Sequence, residues 1–381
     1  MYRRGLWVLV MVMTLMGWAV PGSAQGETPV STINETVITR AEFHARLRFV
    51  RWQYLKELQT YYEITDGNLG ILPDYVNTLL YYFENPDMLG DAVLGQLEED
   101  ALLWQTSAEL NLSPTAEDAQ ERENEFFSLW TNVAPEELAG DSEAQTFIST
   151  WYAEAMAASG MTREQIQQVF VTDALRSVLQ TYVAERMPTE EEAVHTRQIL
   201  CGFHPDDYFN RNVPTADERT AAEACIAEAQ TRLAAGEDFA VVAADLSSDE
   251  YRDINGSPMG SATLGGDQGW TLISYLDEPI GMAVTGAALN TVLGPIETEA
   301  GLHLVEVLEQ RMQVLTEEEL EEAKVGYFNL WIDTLLEEAM IERSADWNVD
   351  LPLDPALDTL APEILTAIAD LEASAQSTPT P

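Results

Sequence analysis

Apolar residues keep a helical period up to Met187 and an alternating one after Pro188, so two architectures share this polypeptide. Between Thr39 and Met187 the segments "AEFHARLRFVRWQYLKEL", "GDAVLGQLEEDALLWQTSAEL", "AEDAQERENEFFSLW", "AQTFISTWYAEAMAA" and "REQIQQVFVTDALRSVLQTYVAERM" repeat apolar positions every three or four residues. None of them alternates. Helix starts are marked by Ser or Thr followed three residues later by Glu or Gln, at Thr39/Glu42, Thr162/Gln165, Thr189/Glu192, Thr215/Glu218 and Thr316/Glu319. Past Pro188 a strand-like "AVHTRQIL" leads to helices "ADERTAAEACIAEAQTRLAAG" and "DFAVVAADLS". The glycine-rich "NGSPMGSATLGGDQGWT", a short helix around "DEPIGMAVTGAAL", and strands "GPIET" and "LHLVEVLE" follow. This β-α-α-β-α-β-β order over about 120 residues predicts a compact α+β domain. A further amphipathic helix, "EEELEEAKVGYFNLWIDTLLEEAMIER", precedes a tail ending in "ASAQSTPTP", whose composition is that of a disordered extension.

Charge narrows the partners. The chain of 381 residues has 19 Lys plus Arg against 65 Asp plus Glu, a net charge of -46 that repels phosphate backbones and anionic lipid. Nucleic acid is excluded as a partner. Lys56 and Lys324 are the only lysines, so no lysine-based Schiff-base or phosphate chemistry stands out. With 46% hydrophobic residues, the acidity reads as a solvated skin over packed cores. Arg3 and Arg4, the apolar run "GLWVLVMVMTLMGWAV" and small residues at Gly22 to Ala24 predict a signal peptide over residues 1–24. The protein is expected to be soluble outside the cytoplasm, in the periplasm or cell envelope, with no stable membrane insertion after cleavage. An uncleaved leader acting as an anchor is the alternative.

Individual residues admit more than one use. Cys201 and Cys225 are a disulfide pair or two small buried thiols. Strand alternation points Cys201 away from Gln198, while Cys225 shares a helical face with Ala222, Ile226, Ala229 and Leu233. His303 alternates with Val305 and Val307 and could be a plain sheet histidine; Asp249 could cap the turn before "EYRD". "GGDQGW" reads as a turn entering a strand, because no Lys or Arg follows to hold phosphate. His204 with Asp206 and Asp207 is too sparse for a metal site. No metal or cofactor is expected.

From Val194 to Gln310 the chain resembles a parvulin-type peptidyl-prolyl isomerase. The resemblance is carried by "GGDQGW", "LGPIETEAGLHLVEV" and "AAGEDFAVVAADLSSD", with "INETVITRAEF" and the flanking helices similar to the chaperone part of the exported SurA/PrsA foldases. It implies an α+β fold: a parvulin-like four-stranded antiparallel sheet with surrounding helices, inserted in an all-α chaperone domain. The expected divisions are a helical domain over 25–188, the parvulin-like domain over 189–312, a helix over 313–352 returning to the chaperone domain, and an acidic, partly disordered tail over 353–381. By the same resemblance His303 matches the second histidine of the family pair and Asp249 the Cys-or-Asp position. Gln198 falls where the family has its first histidine. Leu276, Ile280, Gln268 and Thr298 fall on the substrate-binding pocket, where Met, Phe and Leu are usual at the first three. The implied function is binding of unfolded or proline-containing polypeptide clients with isomerisation of X-Pro bonds, weakened by the departures at 198, 268 and 280. The alternatives are an inactive holdase that keeps the fold as a peptide-binding module, and a structural envelope protein without clients.

Overall fold

The computed structural model describes residues 28–205, 212–252 and 258–377. The expected leader, Asp206 and Asp207 lie outside these residues. The chain divides into two compact units, one built from its first 186 residues and those from Lys324 onward, the other from Met187–Ala323.

The first unit is mainly helical. Strands β1 (Pro29–Ile33) and β2 (Thr36–Thr39) form a hairpin, and α1 (Arg40–Ile64), α2 (Pro73–Glu84), α3 (Pro86–Leu110), α4 (Ala116–Thr131), α5 (Ser142–Ser159) and α6 (Arg163–Ala184) follow. Thr39 and Thr162 close reciprocal caps with Glu42 and Gln165, and Thr115 does the same with Asp118. Apolar stripes of these helices meet in a core whose centre is aromatic, with Trp52 and Trp151 edge-to-face at 5.0 Å beside Phe126 and Phe127.

The second unit holds β3 (Glu190–Gly202), α7 (Ala216–Ala234), α8 (Phe239–Leu246), a small hairpin of β4 (Tyr251–Arg252) and β5 (Pro258–Met259), β6 (Asp267–Leu272), α9 (Glu278–Val284), β7 (Val292–Glu297) and β8 (Gly301–Val314). Its antiparallel four-stranded sheet has the order β6-β3-β8-β7. The long central pair β3/β8 runs from Glu190 opposite Val314 to Gly202 opposite Gly301. One face of the sheet carries Ile199, Cys201, Leu302 and Leu304 against α7 and α8; the other carries Val194, Val305 and Val307 against α9. Two cores therefore sit on opposite sides of one sheet.

The chain then enters α10 (Glu317–Glu338), whose Phe328 and Ile332 pack with Leu103, Leu175 and Leu179. Strand β9 (Ile341–Arg343) pairs with β1, completing a three-stranded sheet of order β2-β1-β9 that the helical pattern of this unit does not announce.

One local expectation fails. Thr189/Glu192 opens no helix, because β3 begins at Glu190 and pairs with β8 throughout; sheet partners outweigh a local cap. Within the tail, Pro362–Ser377 form helix α11. Its Ile364, Ile368 and Leu371, spaced at helical intervals, are buried in the core of the first unit.

Candidate active site

Gln198 on β3 stands opposite Val305 on β8, and Leu200 opposite His303. Gln198 and His303 are thus diagonal neighbours on one face, within reach of long side chains. His303 Nδ1 lies 3.0 Å from Gln198 Oε1, and Gln198 Nε2 donates to Asp249 Oδ2 at 3.1 Å. Asp249 arrives on the loop after α8, which is stitched to β3: Leu200 N–H donates to Ser247 Oγ (3.1 Å) and Ser248 N–H to the Leu200 carbonyl (2.7 Å).

The "GGDQGW" turn supplies the other wall. Gly266 has φ +87°, and a Cβ there would lie 2.4 Å from the Gln198 carbonyl oxygen. Only glycine lets the turn come close enough for Gln198 N–H to donate to the Gly266 carbonyl at 2.8 Å. Two residues on, Gln268 Nε2 donates to Asp249 Oδ2 at 2.8 Å. Ser261, which no motif singled out, also binds that oxygen, through its N–H at 3.1 Å and through its hydroxyl.

These contacts fix one direction of polarity. A carboxylate only accepts, so Gln198 must present its NH₂ to Asp249 and its carbonyl to His303. His303 Nδ1 therefore carries a proton. On the far side of the ring, Nε2 lies 2.8 Å from Thr298 Oγ1, which accepts the Ala300 N–H at 3.1 Å. With Nε2 unprotonated, the Thr298 hydroxyl donates to it, and every group from Ala300 to Asp249 is matched. Burial pushes the Asp249 carboxyl up, but the hydrogen bonds from Ser261, Gln268 and Gln198 outweigh it and hold the group below the usual carboxylate range. Asp249 and His303 are each 3% exposed.

The apolar half lies on the same sheet face. Ile280 packs with Val194, Val284, Val305 and Val307; Leu276 joins at the edge, half-buried. Ile280 is only 6% exposed. The structure therefore brings His303, Asp249, Gln198, Gln268 and Thr298 into one network and sets Leu276 and Ile280 in the adjoining apolar cluster. Gln268 and Thr298 turn their polar atoms to Asp249 and His303. Cys201 and Cys225 are bonded, with Cα atoms 5.9 Å apart, on the opposite sheet face. His195 stands apart from the network, with Nε2 2.7 Å from Asp267. His204 meets Glu218 at 3.3 Å.

Comparison with known proteins bears on the second unit as a whole. The model of the rotamase family, described as a PPIC-type PPIase domain, matches residues 199–309. The matched stretch lies within the second unit, so that unit carries a PPIC-type, parvulin-like domain. Among curated relatives, the chaperone SurA of Methylococcus capsulatus is 32% identical over 143 residues, 35% of this chain and 29% of that protein. SurA of Pseudomonas syringae pv. tomato is 28% identical over 174 residues (41% and 37%), and the periplasmic chaperone PpiD of Haemophilus ducreyi is 30% identical over 114 (30% and 16%). The chain thus spans less than two-fifths of the length of these relatives. A PrsA crystal structure from Bacillus cereus is 14% identical, covering 74% of this chain and 94% of that one at a TM-score of 0.29.

Proposed function

We propose that this protein is an exported foldase that binds unfolded polypeptides and isomerises X-Pro bonds in its second unit, with His303, Asp249 and Gln198 as the polar network beside Leu276 and Ile280. The observation that carries this reading is the continuous line from Asp249 through Gln198 to His303, on the sheet face that also bears the Ile280 cluster. Resonance stiffens a peptide bond by about 18–20 kcal/mol, and no substrate bond has to break for rotation. An apolar pocket holding the prolyl ring removes water from the amide, while a fixed imidazole gives the twisted form a defined polar wall. Gln198 supports such a wall without a proton changing hands. Its amide does for His303 what an orienting ring would do: it accepts on one side and donates on the other.

The test is the refolding of a client limited by proline isomerisation. Acceleration is expected, and Gln198→Leu should lower it by on the order of tenfold, since both partners of the amide then lose a hydrogen bond. Rates equal to the uncatalysed control at high protein concentration would remove the enzymatic reading. The glutamine at position 198, an amide that takes on no positive charge, favours a second reading, a holdase whose parvulin fold binds peptide without catalysis. That reading is favoured if aggregation of denatured clients is suppressed while proline-limited rates stay unchanged. Aggregation equal with and without the protein would leave neither.

A further inference from the structure

We infer that Ser261 is a positioning residue of this site, the hub that holds the loops bearing Asp249 and Gln268 against β3. The inference rests on the isomerase reading for its catalytic consequence only. Ser261 is 4% exposed and makes contacts in three directions. Its N–H (3.1 Å) and hydroxyl both donate to Asp249 Oδ2. Its carbonyl accepts the Gly266 N–H at 2.8 Å and the Leu264 N–H at 2.9 Å. The next residue, Ala262, donates its N–H to the Asp249 carbonyl at 3.1 Å. Gly266 in turn accepts from Gln198 N–H at 2.8 Å, and Gln268 follows two residues later.

The loop bearing Asp249 and the turn at Gly266 are thereby tied at one serine, and each of them in turn bonds Gln198 on β3. Their shared task is to crowd donors onto a single carboxylate oxygen. Gln198 Nε2, Gln268 Nε2, Ser261 N–H and Ser261 O–H all meet at Asp249 Oδ2. An ionised Asp249 accepts from Gln198, so the amide keeps its carbonyl toward His303 and the ring keeps its proton on Nδ1. A protonated Asp249 could donate instead, and the amide would lose its reason to point one way. Among the described residues, Asp249 and His303 are the titratable members of this hydrogen-bonded network, and the donors to Asp249 Oδ2 are the neutral groups of Gln198, Gln268 and Ser261.

Ser261 sits at φ −88°, ψ −15°, a conformation open to alanine, so Ser261→Ala removes the hydroxyl and leaves the backbone contacts. The experiment uses the full chain and reads the pH profile of proline-limited client refolding alongside ¹³C and ¹⁵N NMR titration of Asp249 and His303. In Ser261→Ala the acid limb of the profile and the Asp249 midpoint should move upward by on the order of one pH unit. His303 should lose its single Nδ1–H form at the same pH, and Ser261→Thr should restore both. An activity loss in Ser261→Ala with limb and midpoint unmoved would overturn the inference. If the parent protein shows no isomerase activity, the catalytic reading falls, and the Asp249 midpoint alone decides whether Ser261 positions the network. Should Ser261→Ala lack a cooperative unfolding transition, Ser261→Gly is held to the same expectation.

Discussion

Glu57 shows how one residue can set a pH dependence. It lies on the buried side of α1, 6% exposed, with Oε2 accepting from Tyr75 Oη at 2.6 Å and Oε1 unpaired. Burial pushes its carboxyl up to about 7 against the pull of the Tyr75 bond. A folded-state value above the unfolded one means the proton is held more tightly when folded. This contribution is complete below the unfolded pKa and is lost as pH rises through the folded one. From pH 5 to pH 8 the first unit should lose on the order of 3 kcal/mol on this account, and Glu57→Gln should flatten the dependence in urea titrations at both pH values. Nothing in "YLKELQTYYEI" marks this glutamate, because helical period assigns faces without saying which polar member of a face is covered. The site was more legible. His303, Asp249 and Gln198 stand in motifs whose order along the chain is distinctive, and the diagonal contact of Gln198 with His303 follows from strand pairing. Ser261 was illegible, because a serine in a glycine-rich loop has no period, and its bond to Asp249 twelve residues earlier depends on how an irregular loop turns back, which no spacing rule encodes.

Among elements, α3 is anchored to the small sheet through one buried carboxylate. Glu98, 3% exposed, accepts from Ser31 Oγ on β1 at 2.6 Å and takes a two-pronged bond from Arg343 on β9, Nε to Oε1 at 2.7 Å and Nη2 to Oε2 at 2.6 Å. The fork matches the carboxylate plane, which a lysine could not do. Removing Arg343 leaves the buried Glu98 charge with the Ser31 hydroxyl but no counter-charge on it, so Arg343→Met should cost about 3–5 kcal/mol in the urea unfolding of the full chain. An effect below 1 kcal/mol would mean that water replaces the guanidinium. Helices were readable where reciprocal caps and apolar stripes coincide, as in α1 and α6. Thr115 capped by Asp118 escaped a pattern written for Glu and Gln, and Thr189 matched that pattern immediately before a strand. The strands β1 and β9 are five and three residues long, too short for alternation to register, and their pairing spans most of the sequence.

At the scale of the molecule, the first unit is discontinuous, and its last helix matters as much as its first. Leu360, Ile364, Ile368 and Leu371 enter the same core as Phe43 and Leu58. Ending the chain at Pro355 should therefore expose that core, with a loss on the order of 5 kcal/mol and new binding of an apolar dye. The His303 ring signals of the second unit should stay where they are. A truncated chain as stable as the full one would show that α11 rests on the core without supporting it. The change of period at Pro188 foretold a two-part chain, but the composition of the tail drew attention to its last residues and away from Ile364, Ile368 and Leu371, three well-spaced apolar residues of α11. The pairing of β1 with β9 has a further consequence, for biogenesis. A polypeptide emerging from a ribosome or a pore delivers Pro29–Ile33 early and Ile341–Arg343 some three hundred residues later, so the newborn strand keeps a bare edge while the whole middle section arrives and settles. During that interval the unfinished protein is itself the kind of open-edged chain that needs shelter.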